Sequence, residues 1–334
     1  MKAMVLRKPA PVSESPLQLS EVPLPVPEAG QVRIRVLACG VCHTDRHIVE
    51  GELPAVRLPL IPGHQIVGVV EDVSSGASRF VPGQRVGVAW LAEACGECEF
   101  CNAGLENLCE KARFTGYHAD GGYAQYALVS EDFAYPIPER FPDLQAAPLL
   151  CAGVIGLRAL RLSGATRGQR LGLFGFGASA HIVIQVARHW GCDVLVFTRG
   201  EEHRRLGREL GAVWAGQAGE EPPALLHAAI IFAPAGELVP GALRVLRKGG
   251  TVVAAGIHMS PIPQMDYALL YDERSVRSVA NSTRRDAQDL LRLAEEIPIH
   301  TEIQAFPLEE ANRALQLLKA GQIRGAAVLD IANT

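Results

Sequence analysis

The stretch from Ala38 to His47, ACGVCHTDRH, places two thiols, two imidazoles, a hydroxyl and a carboxylate close together in the chain. Thiolates and imidazoles are zinc ligands, and a catalytic zinc keeps three protein ligands and one open position for water or substrate. We therefore predict a catalytic zinc site formed by Cys42, His64 and Cys151. Taken alone, the stretch also fits a redox pair of Cys39 and Cys42, or a buried cysteine beside a loop histidine.

A second group of cysteines lies on a short segment that contains glycine: Cys95, Cys98, Cys101 and Cys109. Four thiolates at this spacing can surround one zinc tetrahedrally and leave no position for substrate, which is typical of a structural site. The alternative is four unrelated reduced cysteines. We interpret three acidic residues of this segment as a solvated face rather than as ligands: Glu97, Glu99 and Glu106.

A glycine-containing turn, Gly175-Phe-Gly177-Ala-Ser-Ala180, follows an apolar run and precedes a helical pattern. In the dinucleotide fingerprint the first glycine makes a tight turn, and the second lets the pyrophosphate approach the backbone at a helix N-terminus. The alternative is a plain glycine turn. We predict that a nicotinamide cofactor binds residues of this turn and of two later segments: Gly175, Gly177, Ala178, Ser179, Thr198, Arg199, Gly256 and Ile257.

The residues after the second strand of this region predict which nicotinamide cofactor binds. NAD sites place an acidic residue there for the ribose hydroxyls, whereas a 2′-phosphate requires a cation instead. The chain has Thr198-Arg199-Gly200, and Arg199 can hold a phosphate bidentately. We therefore expect NADP(H) rather than NAD(H). The alternative is that Arg199 is solvated and that Glu201 or Glu202 binds the ribose.

Two kinds of secondary-structure pattern must position these residues. Up to about residue 148 the chain has short β-branched runs bounded by Gly and Pro, such as 32–38, 66–73 and 85–90, which predict a mostly β domain. From there to about residue 297, buried apolar runs alternate with helical stretches, which indicates a doubly wound parallel sheet. We predict an α/β protein with one domain at 1–148 and 298–334 and a second at 149–297.

Composition narrows the class of protein. The chain has 334 residues, of which 48% are hydrophobic, and a net charge of −4, so it is a globular protein without a basic field for nucleic acid. Its apolar runs are too interrupted for a spanning helix, and no signal segment opens the sequence, so we expect no membrane partner and a cytoplasmic location. In a reducing compartment, clustered cysteines favour metal sites over disulfides.

Over nearly its whole length the chain resembles the zinc-dependent medium-chain alcohol dehydrogenases. The matching segments are ACGVCHTDRH, PGHQIVG, the four-cysteine loop, DGGYAQY, LLCAG, GFGASAH and GQIRGAAVLD. The resemblance implies a GroES-like β-rich catalytic domain and a Rossmann domain, two zinc ions per chain, and reversible oxidation of a small-molecule alcohol to an aldehyde or ketone. It also implies a homodimer or homotetramer.

The same resemblance assigns roles to single residues. Cys42, His64 and Cys151 match the catalytic zinc ligands, and the four-cysteine loop matches the structural site. Thr44 and His47 resemble the proton relay of the family, in which the histidine is the terminal base. Asp45 resembles the carboxylate that orients the histidine ligand.

The chain departs from the family at three positions: Ala180 stands at the third glycine of the cofactor turn, which the fingerprint tolerates, and Gln65 and Ala326 also differ. Gln65 stands where the family usually has a glutamate, which removes a carboxylate close to the metal. Ala326 stands where the family has an arginine that reaches the cofactor, and Arg324 is a possible substitute.

Two other kinds of protein could share the fold. A zinc-free quinone or enoyl reductase would have no use for both cysteine groups. A non-catalytic zinc-sensing or redox-sensing protein would lose either the relay or the cofactor turn, and both are present in this sequence.

Overall fold

The computed structural model describes residues 1–53 and 57–333. The chain forms two compact units: one contains Met1–Cys151, Ser282–Glu295 and Thr301–Thr334, and the other contains Ala152–Asn281 and Glu296–His300. The predicted domain boundaries stay a prediction. These units differ from them chiefly at residues 282–295, which belong to the first unit.

The strands alternate with helices in the second unit and dominate the first. The strands are β1 (Lys2–Leu6), β2 (Leu17–Glu21), β3 (Gln31–Val41), β4 (Gln65–Val73), β5 (Arg85–Val88), β6 (Leu91–Glu93), β7 (Arg113–Phe114), β8 (Tyr126–Ser130), β9 (Ala134–Pro136), β10 (Arg170–Phe174), β11 (Asp193–Phe197), β12 (Trp214–Gly216), β13 (Leu226–Ile231), β14 (Leu246–Ala254), β15 (Ser275–Ser278), β16 (Ile303–Pro307) and β17 (Ala326–Asp330). The α-helices are α1 (His43–Glu50), α2 (Glu99–Asn102), α3 (Asp143–Ala146), α4 (Ala152–Ser163), α5 (Ala178–His189), α6 (Glu201–Glu209), α7 (Leu238–Arg244), α8 (Arg284–Glu296) and α9 (Ala311–Lys319). Short 3-10 helices lie at Val12–Glu14, Glu106–Leu108, Glu131–Phe133, Ala147–Leu150, Tyr267–Leu269 and Leu308–Glu310.

The first unit is built around a mixed sheet in the order β16-β17-β3-β4-β5-β9, with β8 also paired to β3. The central strand β3 shows why the sequence forms this sheet. Its residues Val32, Ile34 and Val36 are buried, while Arg33 and Arg35 alternate with them, which is the two-residue period of a half-buried strand. Two small sheets, β1-β2 and β6-β7, complete the strands of this unit in the described residues.

The second unit is a parallel sheet in the order β12-β11-β10-β13-β14-β15. Numbered from β10, this is the order 3-2-1-4-5-6 of a Rossmann fold, in which ligands bind at the carboxyl ends of the strands where the order reverses. The strands β10, β11 and β13 are almost wholly buried, as expected for a parallel sheet covered on both faces. The predicted doubly wound sheet is confirmed.

Within residues 1–53 and 57–333, no single helix combines the length and apolar composition needed to span a membrane. One bent pair of short helices, at 143–150 and 152–163, has the length and apolar composition of a membrane span when the two are taken together, and it meets no other criterion.

Candidate active site

The N-terminus of α1 fixes the first predicted zinc ligand. Cys42 is the N-cap residue: the backbone N–H of Thr44 donates to its Sγ at 3.3 Å, and its own backbone N–H donates to the Asp45 carboxylate at 2.9 Å. This reciprocal cap satisfies two backbone donors and begins the helix directly after β3. The stretch from Ala38 to His47 is therefore the end of a strand followed by a helix, with Cys42 held at their junction.

Asp45 connects this cap to His64, the second predicted ligand. One carboxylate oxygen lies 3.1 Å from Nδ1 of His64 and accepts the backbone N–H of Gly63 at 3.2 Å. Both side chains are fully buried. Burial alone would lower the pKa of His64, but the charges of Asp45 and Cys42 outweigh it and raise that pKa to about 10. With Nδ1 held by Asp45, Nε2 is the nitrogen left to face Cys42.

Cys151, between the 3-10 helix at Ala147–Leu150 and α4, completes the cluster. One ligand atom from each of Cys42, His64 and Cys151 lies within 4.8 Å of the others, and Cys42 Sγ is 3.3 Å from His64 Nε2. A hydrogen bond that the Cys42 thiol donates to Cys151, followed by burial, raises the pKa of Cys42 well above its usual value. Two sulfurs and one imidazole nitrogen at this spacing fit a zinc ion with one position left over.

An aromatic wall lies beside His64. Trp90 meets the His64 ring edge-on at 4.8 Å between ring centroids, and it stacks on Phe114 at 5.0 Å and on Tyr117 at 5.9 Å. Trp90 and Phe114 therefore lie in one aromatic stack beside a predicted metal ligand.

His47 lies in the last turn of α1, with a side chain that is only 2% exposed. Its Nδ1 contacts a carboxylate oxygen of Glu52, whose side chain is 38% exposed, and lies 3.2 Å from the guanidinium of Arg46. Thr44 is buried on the first turn of the same helix. Sequence reasoning missed Glu52, although its position just after the helix was a signal that it could reach back to His47.

The four-cysteine loop brings its thiols together between β6 and β7. Cys95 Sγ lies 3.8 Å from Cys101 Sγ and 3.5 Å from Cys109 Sγ, and the backbone N–H of Cys98 donates to Cys95 Sγ at 3.4 Å. With zinc–sulfur bonds of about 2.3 Å, the sulfurs of a tetrahedral site lie about 3.8 Å apart. Backbone hydrogen bonds from Glu97 and Cys98 lower the pKa of Cys95 to about 6. These four residues fit a closed zinc site.

The interpretation of Glu106 as part of a solvated face is wrong. This residue is 8% exposed, and its carboxylate forms a bidentate pair with Arg284 at distances of 2.7 to 3.1 Å, while also accepting the backbone N–H of Arg284. Arg284 is the first residue of α8 and lies over the ring of Phe133 at 4.7 Å. Glu106 therefore joins the four-cysteine loop to α8 within the first unit.

The glycine turn predicted to bind the cofactor joins the end of β10 to the start of α5. Gly175 follows β10 with a φ of +88°, and a Cβ there would lie 2.8 Å from the backbone N of Ala233, so only glycine fits. Gly177 is the N-cap of α5, and a Cβ there would meet nothing within 4 Å. Ala178 and Ser179 form the first turn, whose backbone N–H groups have no partners within the helix. This end of α5 fits a pyrophosphate.

The residues predicted to recognise the 2′-phosphate follow β11 directly. Arg199 is exposed, and Arg204 donates to the backbone carbonyls of both Thr198 and Arg199 at 2.8 Å. Glu201 is paired with Arg204 at 2.7 Å and with Arg208 at 3.2 Å, and these arginines lower its pKa.

The remaining predicted cofactor residues, Gly256 and Ile257, follow the carboxyl end of β14, and Ile257 is 51% exposed. The departures from the family pattern also have defined places. Gln65 is buried at the start of β4 against Gly40, Ala326 is buried in β17, and Arg324 lies 3.7 Å from Glu302.

Comparisons with known proteins agree with this architecture. A family model described as the alcohol dehydrogenase GroES-like domain matches residues 28–139, and one described as zinc-binding dehydrogenase matches residues 180–296. The chain is 46% identical to a probable alcohol dehydrogenase of Mycobacterium tuberculosis, over 98% of this chain and 97% of that protein. It is 36% identical to an alcohol dehydrogenase of Geobacillus stearothermophilus, over 99% of this chain and 100% of that protein.

Solved structures give the same result. A cinnamyl alcohol dehydrogenase of Sorghum bicolor superposes with a TM-score of 0.90 at 29% identity, covering 100% of this chain and 98% of that one. A cobalt- and zinc-bound thermostable alcohol dehydrogenase of Pyrobaculum aerophilum superposes with a TM-score of 0.92 at 25% identity, covering 99% of both chains. From its two units, its two cysteine groups and these relatives, we conclude that the chain belongs to the zinc-type medium-chain alcohol dehydrogenase family of oxidoreductases.

Proposed function

We propose that this protein is a zinc-dependent alcohol dehydrogenase, or aldehyde reductase, that uses NADP(H). The observation that carries the proposal is the convergence of Cys42, His64 and Cys151, which are far apart in the sequence, on one point of the first unit. The names of the relatives support an alcohol or aldehyde as the substrate.

The chain's own residues are suited to hold a reactive zinc. Cys42, His64 and Cys151 would bind the ion, which supplies Lewis acidity at its open position, while the nicotinamide supplies or accepts a hydride. Asp45 would keep the His64 ring in the orientation and tautomer that binds metal, because it accepts from Nδ1. The stack that begins at Trp90 would exclude water from one side and offer an apolar surface to substrate.

A proton must also enter or leave the site. We assign this to Thr44, whose hydroxyl can both donate and accept, and to His47, whose imidazole can hold a proton near neutral pH. Both residues lie on α1, which begins at the ligand Cys42. Replacing His47 with Gln should slow turnover and remove the fall in activity on the acid side that protonation of His47 causes, and added imidazole should restore part of the lost turnover. An unchanged pH profile would remove His47 from the mechanism.

The surroundings of Arg199 support NADP(H). The acidic residues that could bind ribose hydroxyls instead are already paired: Glu201 with Arg204 and Arg208, and Glu202 with Arg205. The ratio of kcat/KM for NADPH and NADH tests this assignment. We expect a preference for NADPH that Arg199→Ala reduces by about tenfold or more, since a charged hydrogen bond contributes about 1.5–3 kcal/mol. A tenfold preference for NADH would contradict it.

Metal analysis tests the enzyme class. About two zinc ions per chain fits the dehydrogenase, about one fits a structural site alone, and none fits a zinc-free reductase. A screen of primary, secondary and aromatic alcohols and their aldehydes with both cofactors, followed by the absorbance of the reduced nicotinamide, would then define the substrate.

We further propose a homodimer or homotetramer in the cytoplasm. Exposed large side chains precede the edge strand β15, which is the kind of surface that a second copy covers: Ile262, Tyr267 and Tyr271. The eight cysteines are all free thiols, which suits a reducing compartment. The molar mass in solution from light scattering tests the assembly, and a value near 35.8 kDa would contradict it.

A further inference from the structure

We propose that Glu52 is a positioning residue for His47: it holds the imidazole in one tautomer and stabilises the ring when it carries an added proton. The inference rests on the proposed function, because it concerns the same proton path.

The geometry around His47 assigns different tasks to its two ring nitrogens. Nδ1 contacts the Glu52 carboxylate more closely than it does the Arg46 guanidinium, which lies 3.2 Å away, and an ionised carboxylate only accepts hydrogen bonds, so we assign the hydrogen to Nδ1. Nε2 is then the nitrogen with a lone pair, and it is the atom that can accept a proton. A histidine without this carboxylate could adopt either tautomer, and only one of them would be a base at Nε2.

The contact between Glu52 and His47 matters because the His47 ring is buried. The His47 side chain is 2% exposed, so water stabilises its charged form poorly, and a carboxylate beside the ring replaces that lost solvation. Glu52 itself is 38% exposed and therefore keeps its own charge at modest cost. When Nε2 accepts one proton, the ring becomes a cation next to an anion, and the proton returns to solvent or substrate without any change in oxidation state.

Other charged groups around His47 set the background for this interaction. Arg46 lies 3.2 Å from Nδ1 and 3.4 Å from the Glu52 carboxylate, and His43 lies on the same helix with its ring 6.5 Å away. Glu50, on the same helix, is paired with Arg46 at 3.6 Å and with Lys319 of α9 at 2.6 Å. From the 3-10 helix at 12–14, the backbone N–H of Val12 donates to Glu50. Glu50 therefore offers a matched control: it shares Arg46 with Glu52 and has its charge compensated elsewhere.

The test compares the pH dependence of kcat in the full-length enzyme carrying Glu52→Gln, Glu52→Ala or Glu50→Gln. On the acid side, activity falls as His47 takes up a proton. Losing the Glu52 charge lowers the pKa of His47, so the acid midpoint should move down by about one pH unit. The plateau of kcat should fall by about tenfold to a hundredfold, with KM changed less than about twofold, as for other residues that orient a functional histidine. Glu50→Gln should leave the midpoint and kcat within about twofold of the unchanged enzyme.

Nitrogen NMR of the protein labelled with ¹⁵N-histidine supplies a readout that a purely structural role would not change. The His47 signal, identified by its loss in His47→Gln, should report hydrogen at Nδ1 in the unchanged protein and a mixture of tautomers in Glu52→Ala. An unchanged tautomer and acid midpoint in Glu52→Ala would overturn the inference, and so would an equal shift in Glu50→Gln.

Different results would contradict the proton relay through His47 and the role of Glu52. If His47→Gln leaves the pH profile unchanged, the relay itself is wrong. If His47→Gln changes the profile and the Glu52 variants do not, only the role of Glu52 is wrong. Thermal unfolding of each variant identifies any that lose activity by unfolding.

Discussion

The two cysteine groups of the first unit differ in how the chain assembles them. Cys95, Cys98, Cys101 and Cys109 lie on one short loop, whereas Cys42, His64 and Cys151 arrive from a helix N-terminus, the start of a strand and the end of a 3-10 turn. The loop group offers four sulfurs and is partly exposed. The other group offers three ligand atoms, one of which belongs to the fully buried His64. The Nδ1 atom of that ring is held by Asp45. A closed set of ligands suits a structural role, and an incomplete set suits reaction.

The largest effect that tests this difference is on turnover. Cys42→Ser should lower kcat by on the order of a thousandfold, because the Lewis acidity of a zinc ion contributes several kcal/mol to catalysis. It should leave the unfolding transition little changed and lower the zinc content by about one per chain. Steady-state kinetics, metal analysis and thermal unfolding measure these three quantities. Retained turnover in a variant that has lost one zinc would show that the three-residue group is not catalytic.

The matching change in the loop should act on stability instead. Cys101→Ser should reduce the free energy of unfolding by about 3 kcal/mol or more, since the binding energy of a structural zinc contributes to folding. The enzyme that remains folded should keep its kcat within a few-fold. Chemical unfolding monitored by fluorescence gives the stability, and an unfolding midpoint equal to that of the unchanged protein would contradict the structural role.

The affinity of the buried three-residue group for zinc should depend strongly on pH. In the metal-free pocket the pKa of His64 is raised to about 10 by Asp45 and Cys42, against the effect of burial, and the pKa of Cys42 is raised above its usual value. Both groups therefore hold protons between about pH 6 and 8, and zinc must displace them. The loss of these two protons alone makes the affinity rise by at least about a hundredfold per pH unit. Competition with a chelator at several pH values measures it, and an affinity independent of pH would disprove this protonation state.

A smaller effect concerns the link between the loop and α8. Glu106→Gln should reduce the free energy of unfolding by about 2 kcal/mol, because hydrogen bonds to charged groups contribute about 1.5–3 kcal/mol. Lys111→Gln is the control, since its pair with Glu97 on the same loop is more than 70% exposed on both sides and should contribute little to stability. Equal losses in the two variants would mean that burial of the Glu106 pair does not matter.

The same comparison explains what could be predicted from the sequence. The four-cysteine loop and the cofactor turn are local patterns. The spacing of neighbouring residues is therefore enough to predict a role for Cys95 in zinc binding and for Gly175 in the turn. The ligands Cys42, His64 and Cys151 are distant in the sequence, and proposing them together requires a fold that brings them together.

Other features could not be predicted from the sequence. Some depend on a partner residue far away in the chain, and others are strands too short to show a pattern. Glu106 looks like any surface glutamate until Arg284, 178 positions away, is placed beside it. The strands β12 and β15 have three and four residues, too few for a periodic pattern to identify. His47 could be placed near the site from the sequence, but its burial and its contact with Glu52 depend on how α1 lies in the first unit.

The central claim concerns one metal position, and diffraction at the zinc absorption edge tests it directly. An anomalous difference map from a crystal of the full chain should show two peaks. One should lie among the sulfurs of the four-cysteine loop, and the other within about 2.0–2.3 Å of Cys42 Sγ, His64 Nε2 and Cys151 Sγ. A peak in the loop alone, from protein that is active and fully supplied with zinc, would contradict the account.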